Sequence, residues 1–276
     1  MERKTEIGSG KFSAWKTAVA AVATLLLAFL VMPASATAAG AGKKPSVLFL
    51  ISEDPDNYEA HKTIPPYAEE LQRTQGFQTK VIKGEGPLTA FSYPGLLPAL
   101  AETDLVVFYS RRIALSHEQL NAIKDYLKAG RPMVALRTAN HGFAPRGKIA
   151  EGHAGWPEYV ADILGCENRG YGSIKDGIQI SAVPAAAGHP ILKGVPEKWF
   201  SPTNIYLVAP LLDKSATVLL AGAVPNKIVE PLAWTRMAGK SRIFYTSLGH
   251  PKDFDFPQFH TLLTNGIRWA LADKAK

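Results

Sequence analysis

Four places in this sequence gather side chains able to move protons, hold an anion or bind a metal. Glu53 and Asp54 follow one apolar run and Arg111 and Arg112 a second. Arg137-Thr-Ala-Asn-His141 follows a third, and Ser247-Leu-Gly-His250 with Asp253 a fourth. A carboxylate and an imidazole such as Glu53 and His250 serve as an acid/base pair once both reach the proton in play. Asp253, three residues after His250, is spaced to orient that ring and hold its tautomer. Thr138 offers a hydroxyl, which without a strong base is first a binding group. Arg137 ends an apolar run, where a guanidinium must be paired or face a cleft. It is expected to bind a polyol or carboxylate, or to pair with Glu53. Trp156 and Trp234 are large enough to stack on a sugar face, although a large aromatic is more often core. His141, His153 and His250, with Asp253 or Glu53, would give a divalent ion such as Zn²⁺ three or more ligands. Their spacing matches no His-Glu-x-x-His pattern.

These groups meet only if the runs before them are neighbouring strands. Residues 46–52, SVLFLIS, are continuously apolar, as suits a strand buried on both faces of a parallel sheet. The pattern then predicts a helix over 65–74 with Pro65 or Pro66 in its first turn, a strand over 78–82, a short helix over 96–101 and a strand over 104–109. Ser116 and Gln119 form a capping box ahead of Leu120, Ile123, Tyr126 and Leu127 at helical spacing, and Gly130 and Pro132 end that helix. A fourth strand follows over 132–136. The β-α-β-α-β-α-β order implies a parallel sheet with right-handed crossovers. Beyond residue 138 the pattern loosens. It holds one short helix near 156–164, strands near 178–181, 217–222, 228–234 and 242–246, and an amphipathic helix over 257–271. Ligands of such sheets bind beyond the carboxyl ends of the strands. The four groups are therefore expected to line one pocket.

The N-terminus sets the compartment expected for this domain. Arg3, Lys4, Lys11 and Lys16 precede an uninterrupted apolar run over 17–32, and Pro33 and a stretch of small residues follow. Ala34-Ser35-Ala36 and Ala36-Thr37-Ala38 both fit a signal-peptidase site. Sixteen residues fall short of the roughly 20 a spanning helix needs. Residues 1–38 are thus expected to be a cleaved export signal, with an uncleaved anchor as the alternative. A short flexible lead over 39–45 and one α/β domain over 46–276 should follow. The net charge is +7, and the four basic and two acidic residues of the signal leave about +5 for the rest. Those charges are scattered singly, with no basic block, which argues against nucleic-acid binding. The one cysteine, Cys166, has no partner for an internal disulfide. Gly170, Gly172 and Gly177 form no phosphate-cradling pattern, so a nucleotide cofactor is not expected.

The motifs also carry a resemblance. Glu53, Arg111-Arg112, RTANHGF at 137–143, Trp156, His189-Pro-Ile-Leu, AWTR at 233–236 and FYTSLGH at 244–250 stand in an order that resembles the ThuA-like, or trehalose-utilisation, family. The resemblance covers about residues 46–272. It implies a flavodoxin-like three-layer sandwich with a mostly parallel central sheet, akin to class I glutamine amidotransferases. It also implies a part in sugar utilisation, and a histidine of interest at His189. Amidotransferases carry a cysteine on the tight turn after a central strand; here that turn falls at Arg137-Thr138, with no cysteine. Cys166 lies elsewhere, so glutaminase chemistry is not expected. Three expectations follow: an exported protein acting as hydrolase, lyase or isomerase on a small carbohydrate, a non-catalytic carbohydrate-binding or scaffold protein, or an exported metal-dependent hydrolase.

Overall fold

The computed structural model describes residues 43–224 and 229–272. The signal segment expected over 1–38 lies outside them. Among the described residues no helix is long and apolar enough to cross a membrane.

The elements run β1 (Ser46–Ser52), α1 (Ala60–Gln75), β2 (Gln78–Gly84), α2 (Leu96–Glu102), β3 (Leu105–Tyr109), β4 (Leu115–Ser116), α3 (His117–Lys128), β5 (Met133–Leu136) and β6 (His153–Ala154). Then follow β7 (Ile178–Ala182), β8 (Lys198–Ser201), β9 (Thr217–Ala223), β10 (Val229–Ala238), β11 (Ser241–Thr246) and α4 (Pro257–Leu271). Among the described residues nine strands form one sheet in the order β2-β1-β3-β5-β11-β10-β9-β7-β8. The first five are parallel and the last four add antiparallel. Numbered among themselves, the five parallel strands stand in the order 2-1-3-4-5, the flavodoxin-like arrangement. Its switch point lies between β1 and β3, where the crossovers leave to opposite faces.

The apolar run of β1 shows why the sheet sits between two layers. Val47, Phe49 and Ile51 pack with Ile64, Tyr67 and Leu71 of α1 and Leu262, Leu263 and Ile267 of α4. Leu48 and Leu50 pack with Leu96 and Leu100 of α2 and Leu120, Ile123 and Leu127 of α3. Period-two alternation thus feeds two cores, and each fully buried large side chain contributes about 1.5–3 kcal/mol.

Three details depart from expectation. Helix α1 starts at Ala60, so Pro65 and Pro66 lie in its interior rather than its first turn. Ala60, Ile64, Tyr67, Ala68 and Leu71 make one buried stripe, and its burial outweighs the backbone bonds the prolines forfeit. The capping box at α3 is half formed. Ser116 Oγ accepts from Gln119 N at 3.3 Å, but the Gln119 side chain turns away to Tyr93, donating to its carbonyl at 2.9 Å and accepting from its N–H at 3.0 Å. The helix expected near 156–164 is a π-helical turn at Val160–Leu164. Strands β4, β6 and β8 carry too few residues to show a period.

Candidate functional site

The three segments that leave β1, β3 and β5 share one property. Among the described residues, the non-glycine positions with left-handed backbone are Tyr58 (φ 50°), Glu59 (50°), Arg112 (53°) and Arg137 (41°). Each costs on the order of 1–3 kcal/mol and persists only where its surroundings hold it. Tyr58 and Glu59 follow β1, Arg112 follows β3 and Arg137 is the first residue after β5. Stored strain is therefore concentrated at the sheet's switch point.

A cavity of about 700 Å³ opens there, lined by Asp56 and Tyr58 after β1, Arg111 and Arg112 after β3, and Thr138, His141 and Arg146 after β5. Asn168, Tyr171 and Tyr206 close it from the irregular second half. Its size is within the range of small-molecule sites. Buried Asn57 ties the strand ends together. Its Nδ2 donates to Ser52 O at 3.2 Å and Tyr109 O at 2.9 Å, while its Oδ1 accepts from Thr138 Oγ1 at 2.6 Å. One amide thus joins the exits of β1, β3 and β5.

Arg137 is fully buried and does not pair with Glu53. Its guanidinium donates to Ser247 O at 2.9 Å and to Asn204 Oδ1 at 2.5 Å. It lies over the Tyr58 ring at 4.0 Å and the Tyr206 ring at 4.9 Å. The carboxylate expected for it is replaced by neutral acceptors and two aromatic faces, with cation–π attraction strengthened by desolvation. Among the described residues its Nε has no hydrogen-bond partner. Glu53 points elsewhere: it pairs with Lys83 and is half exposed, and Lys83 holds its carboxyl below the usual carboxylate range. The strand-end rule placed its backbone correctly, but a side chain one residue past a strand end is free to turn outward.

His250 and Asp253 lie side by side without the expected contact between ring and carboxylate. Asp253 Oδ2 accepts from the backbone N–H groups of Gly249 and His250 at 2.9 and 3.0 Å, and Oδ1 from Ser201 Oγ at 2.6 Å. It fixes the turn rather than the ring. His250 Nδ1 accepts from Lys252 N at 3.2 Å, which places the proton of the neutral ring on Nε2. Burial, with the nearby Arg137 charge, lowers its pKa to about 4. His141 lines the cavity with its ring stacked on Tyr206 and Nδ1 at 2.6 Å from Asn140 Oδ1. Burial first, then Arg112, Arg111, Arg146 and Arg137, drive its pKa down to about 3. Both imidazoles are neutral at pH 7.

The remaining sequence candidates take other work. Arg111 and Arg112 reach the cavity; Arg111 is ion-paired to Asp56 at 2.7 Å, with Asp54 at 3.4 Å. Trp234 is fully buried, its indole N–H bonded to Leu164 O at 2.8 Å and its ring against Tyr245. Trp156 packs on Phe143 and Tyr159 under the Lys124 ammonium. Both tryptophans are packing residues, since strand and loop apolar patterns do not say which face is core. His189 caps the turn at Pro190–Leu192 by accepting from Ile191 N at 3.2 Å. His153 sits in β6 with Nδ1 3.1 Å from Glu151 O. Among the described residues no group of three or more His, Cys, Asp or Glu side chains gathers to hold a metal ion. The set His141, His153 and His250 is thus not assembled.

The sequence matches the ThuA family model, described as trehalose utilisation, over residues 47–270. The chain belongs to the ThuA family. The fold of this ThuA chain is similar to a ThuA-like protein from Bacteroides uniformis, with TM-score 0.62 at 16% identity over 83% of this chain and 92% of that one. It is similar to a second from Parabacteroides merdae, with TM-score 0.62 at 17% identity over 84% and 91%. A cold-adapted β-galactosidase from Rahnella sp. R3 shares the fold at TM-score 0.52 and 15% identity, over 81% of this chain and 31% of that one. A comparison with curated proteins finds no match.

The family is class I glutamine amidotransferase-like. In this ThuA chain the strained residue after the central strand β5 is Arg137 itself. Cys166 is fully buried far along the chain, and burial pushes its thiol up to about 12, so no thiolate forms near neutrality. Sequence reasoning missed Tyr58, Asn57, Asn204 and Tyr206. Asn57 and Tyr58 follow the carboxyl end of β1 within the Asp-Pro-Asp-Asn-Tyr turn, and the same strand-end rule extended a few residues would have found them. Asn204 and Tyr206 come from a stretch without period and carry no such signal.

Proposed function

We propose that this ThuA-family protein is exported and binds a sugar or sugar derivative in the crevice beyond β1, β3 and β5. The observation that carries the proposal is the cavity, which combines hydrogen-bonding side chains with the faces of Tyr58, Tyr171 and Tyr206. Sugars present both hydroxyls and flat C–H faces, and aromatic rings match the latter. The signal-like segment over 1–38 supports export. Calorimetric titration with mono- and disaccharides tests the binding. Saturable binding is expected, weakened several-fold by Tyr171→Ala at an exposed lining residue and unchanged by Glu53→Gln. Absence of binding by every sugar would overturn it. N-terminal sequencing of chain recovered outside the cytoplasm should give a start just after Ala36 or Ala38; a start at Met1 would favour the anchor.

A second reading, proton-transfer catalysis of the hydrolase, lyase or isomerase kind, is favoured by Tyr58. Burial works to raise its pKa, yet the nearby Arg137 charge and the polar groups of Tyr206 and Asn204 hold the phenol below its ordinary value. Such a phenol on a cavity wall is suited to give or take a proton. Tyr58→Phe should then abolish turnover while retaining sugar affinity, and undiminished turnover would remove Tyr58 from the chemistry.

A further inference from the structure

The cavity holds more positive charge than its own carboxylates answer. Arg111 is matched by Asp56 at 2.7 Å and Asp54 at 3.4 Å. Arg112 and Arg146 also line the cavity, and among the described residues neither has a carboxylate within 4.0 Å. Among the described residues, the one polar contact of the Arg112 guanidinium is Nη1 to Ala144 O at a long 3.4 Å. Arg137 adds a fourth guanidinium behind the Tyr58 and Tyr206 rings. Three guanidiniums line the cavity against Asp56 and the adjacent Asp54, and like charges confined in a cleft focus a positive potential into it.

The neighbouring groups respond to that potential. The Arg112 pKa is lowered by burial first, then by Arg146 and Arg111, and His141 is held neutral by burial and the same arginines. The Arg112 backbone is locked in its left-handed conformation, with its N–H donating to His141 O at 2.9 Å. A cationic side chain preorganised at a backbone cost, without a carboxylate of its own, is arranged for an anion that arrives from outside. Aromatic rings line the same cavity. Tyr171 and Tyr206 lie 6.1 Å apart and Tyr206 stacks on His141.

We propose that the ligand of this crevice is an anionic sugar, whose carboxylate or phosphate is held by Arg112 and Arg146 while its ring lies against Tyr171 and Tyr206. This rests on the carbohydrate reading above and narrows it to acidic sugars. The same cavity thus offers guanidiniums for the charge and aromatic faces for a flat polyhydroxylated ring.

The test is calorimetric titration of the purified chain at low salt with glucose, glucuronate, galacturonate, glucose 6-phosphate, acetate and inorganic phosphate. At least one acidic sugar should bind tenfold or more tightly than glucose, as one charge-assisted contact to each arginine supplies. Whichever of the carboxylate and phosphate arms wins identifies the anionic group. Arg146→Gln, an unstrained position, and Arg112→Gln should each cost about tenfold for the acidic sugar and little for glucose. Raising the salt should shrink the gap. Equal affinity for acidic and neutral sugars, unchanged by either substitution, would overturn the anionic assignment and leave the carbohydrate reading standing. Acetate or phosphate binding as tightly as the acidic sugars would also overturn it, as a site for a bare anion. If no sugar of either kind binds, both readings fail together.

Discussion

Replacing Asn57 by alanine should loosen the site and the fold together. The side chain is fully buried and makes three hydrogen bonds, to Ser52 O, Tyr109 O and the Thr138 hydroxyl. Two carbonyls can only accept and a hydroxyl can donate, so the amide orientation is fixed by its partners. Each net hydrogen bond is worth about 1 kcal/mol, and partners left buried without one cost more. A destabilisation of about 3–4 kcal/mol follows, or a fall in Tm of roughly 6–16 °C for a domain of this size. Asn57→Asp makes the argument sharper, because it exchanges only NH₂ for O. A carboxylate there still accepts from Thr138 but faces two carbonyls that it cannot satisfy, so its pKa should rise on folding above the unfolded value of about 4. The protonated acid would restore a donor. The variant should therefore be nearest to wild type below about pH 4 and lose stability as pH rises through its folded pKa. Urea unfolding from pH 3.5 to 8 measures both effects. A loss under about 1 kcal/mol for the alanine variant, or a pH-independent gap for the aspartate variant, would refute the account of Asn57 as the tie between three strands.

Two further outcomes test the electrostatics. His141 and His250 have folded pKa values lowered to about 3 and about 4, against about 6.5 unfolded. Their contribution to stability is complete above about pH 6.5 and is lost as pH falls towards 4. Proton uptake on unfolding at pH 5 should drop by about one in His141→Gln, and equal uptake in variant and wild type would show that this imidazole titrates normally. The Cys166 thiol should resist a water-soluble disulfide reagent at pH 8 and react in full once the chain is unfolded; rapid reaction of the native protein would contradict its burial.

The parallel half of the fold was legible because its strands are buried on both faces. SVLFLIS and LVVFY leave no room for polar alternation, and the spacing of Leu120, Ile123 and Leu127 reports a helix directly. The prolines of α1 were misplaced because packing of Ala60 and Ile64 extends that helix upstream, a tertiary effect that local chemistry opposes. The site was legible in its backbone and less so in its side chains. The strand-end rule brought Arg111, Arg112, Thr138 and His141 to one cavity. It could not tell that Glu53 turns outward to Lys83 or that Trp234 is core.

Arg137 shows how the two kinds of information meet. On sequence grounds a charged residue closing an apolar strand had to be paired with a carboxylate or face the cleft, and Arg137 is instead fully buried behind two tyrosine rings. Its desolvation is offset by Ser247 O, Asn204 Oδ1 and two tyrosine rings, and two of those four partners, Asn204 and Tyr206, lie in a stretch with no readable period. The same guanidinium helps hold Tyr58 below its ordinary pKa and, second to burial, helps keep His250 neutral. At the turn where an amidotransferase-like frame would hold a thiol, this chain therefore holds a buried positive charge. A buried charge at that turn cannot attack a substrate, but it can set the proton affinity of the groups that line the cavity and add to the field an acidic ligand would meet.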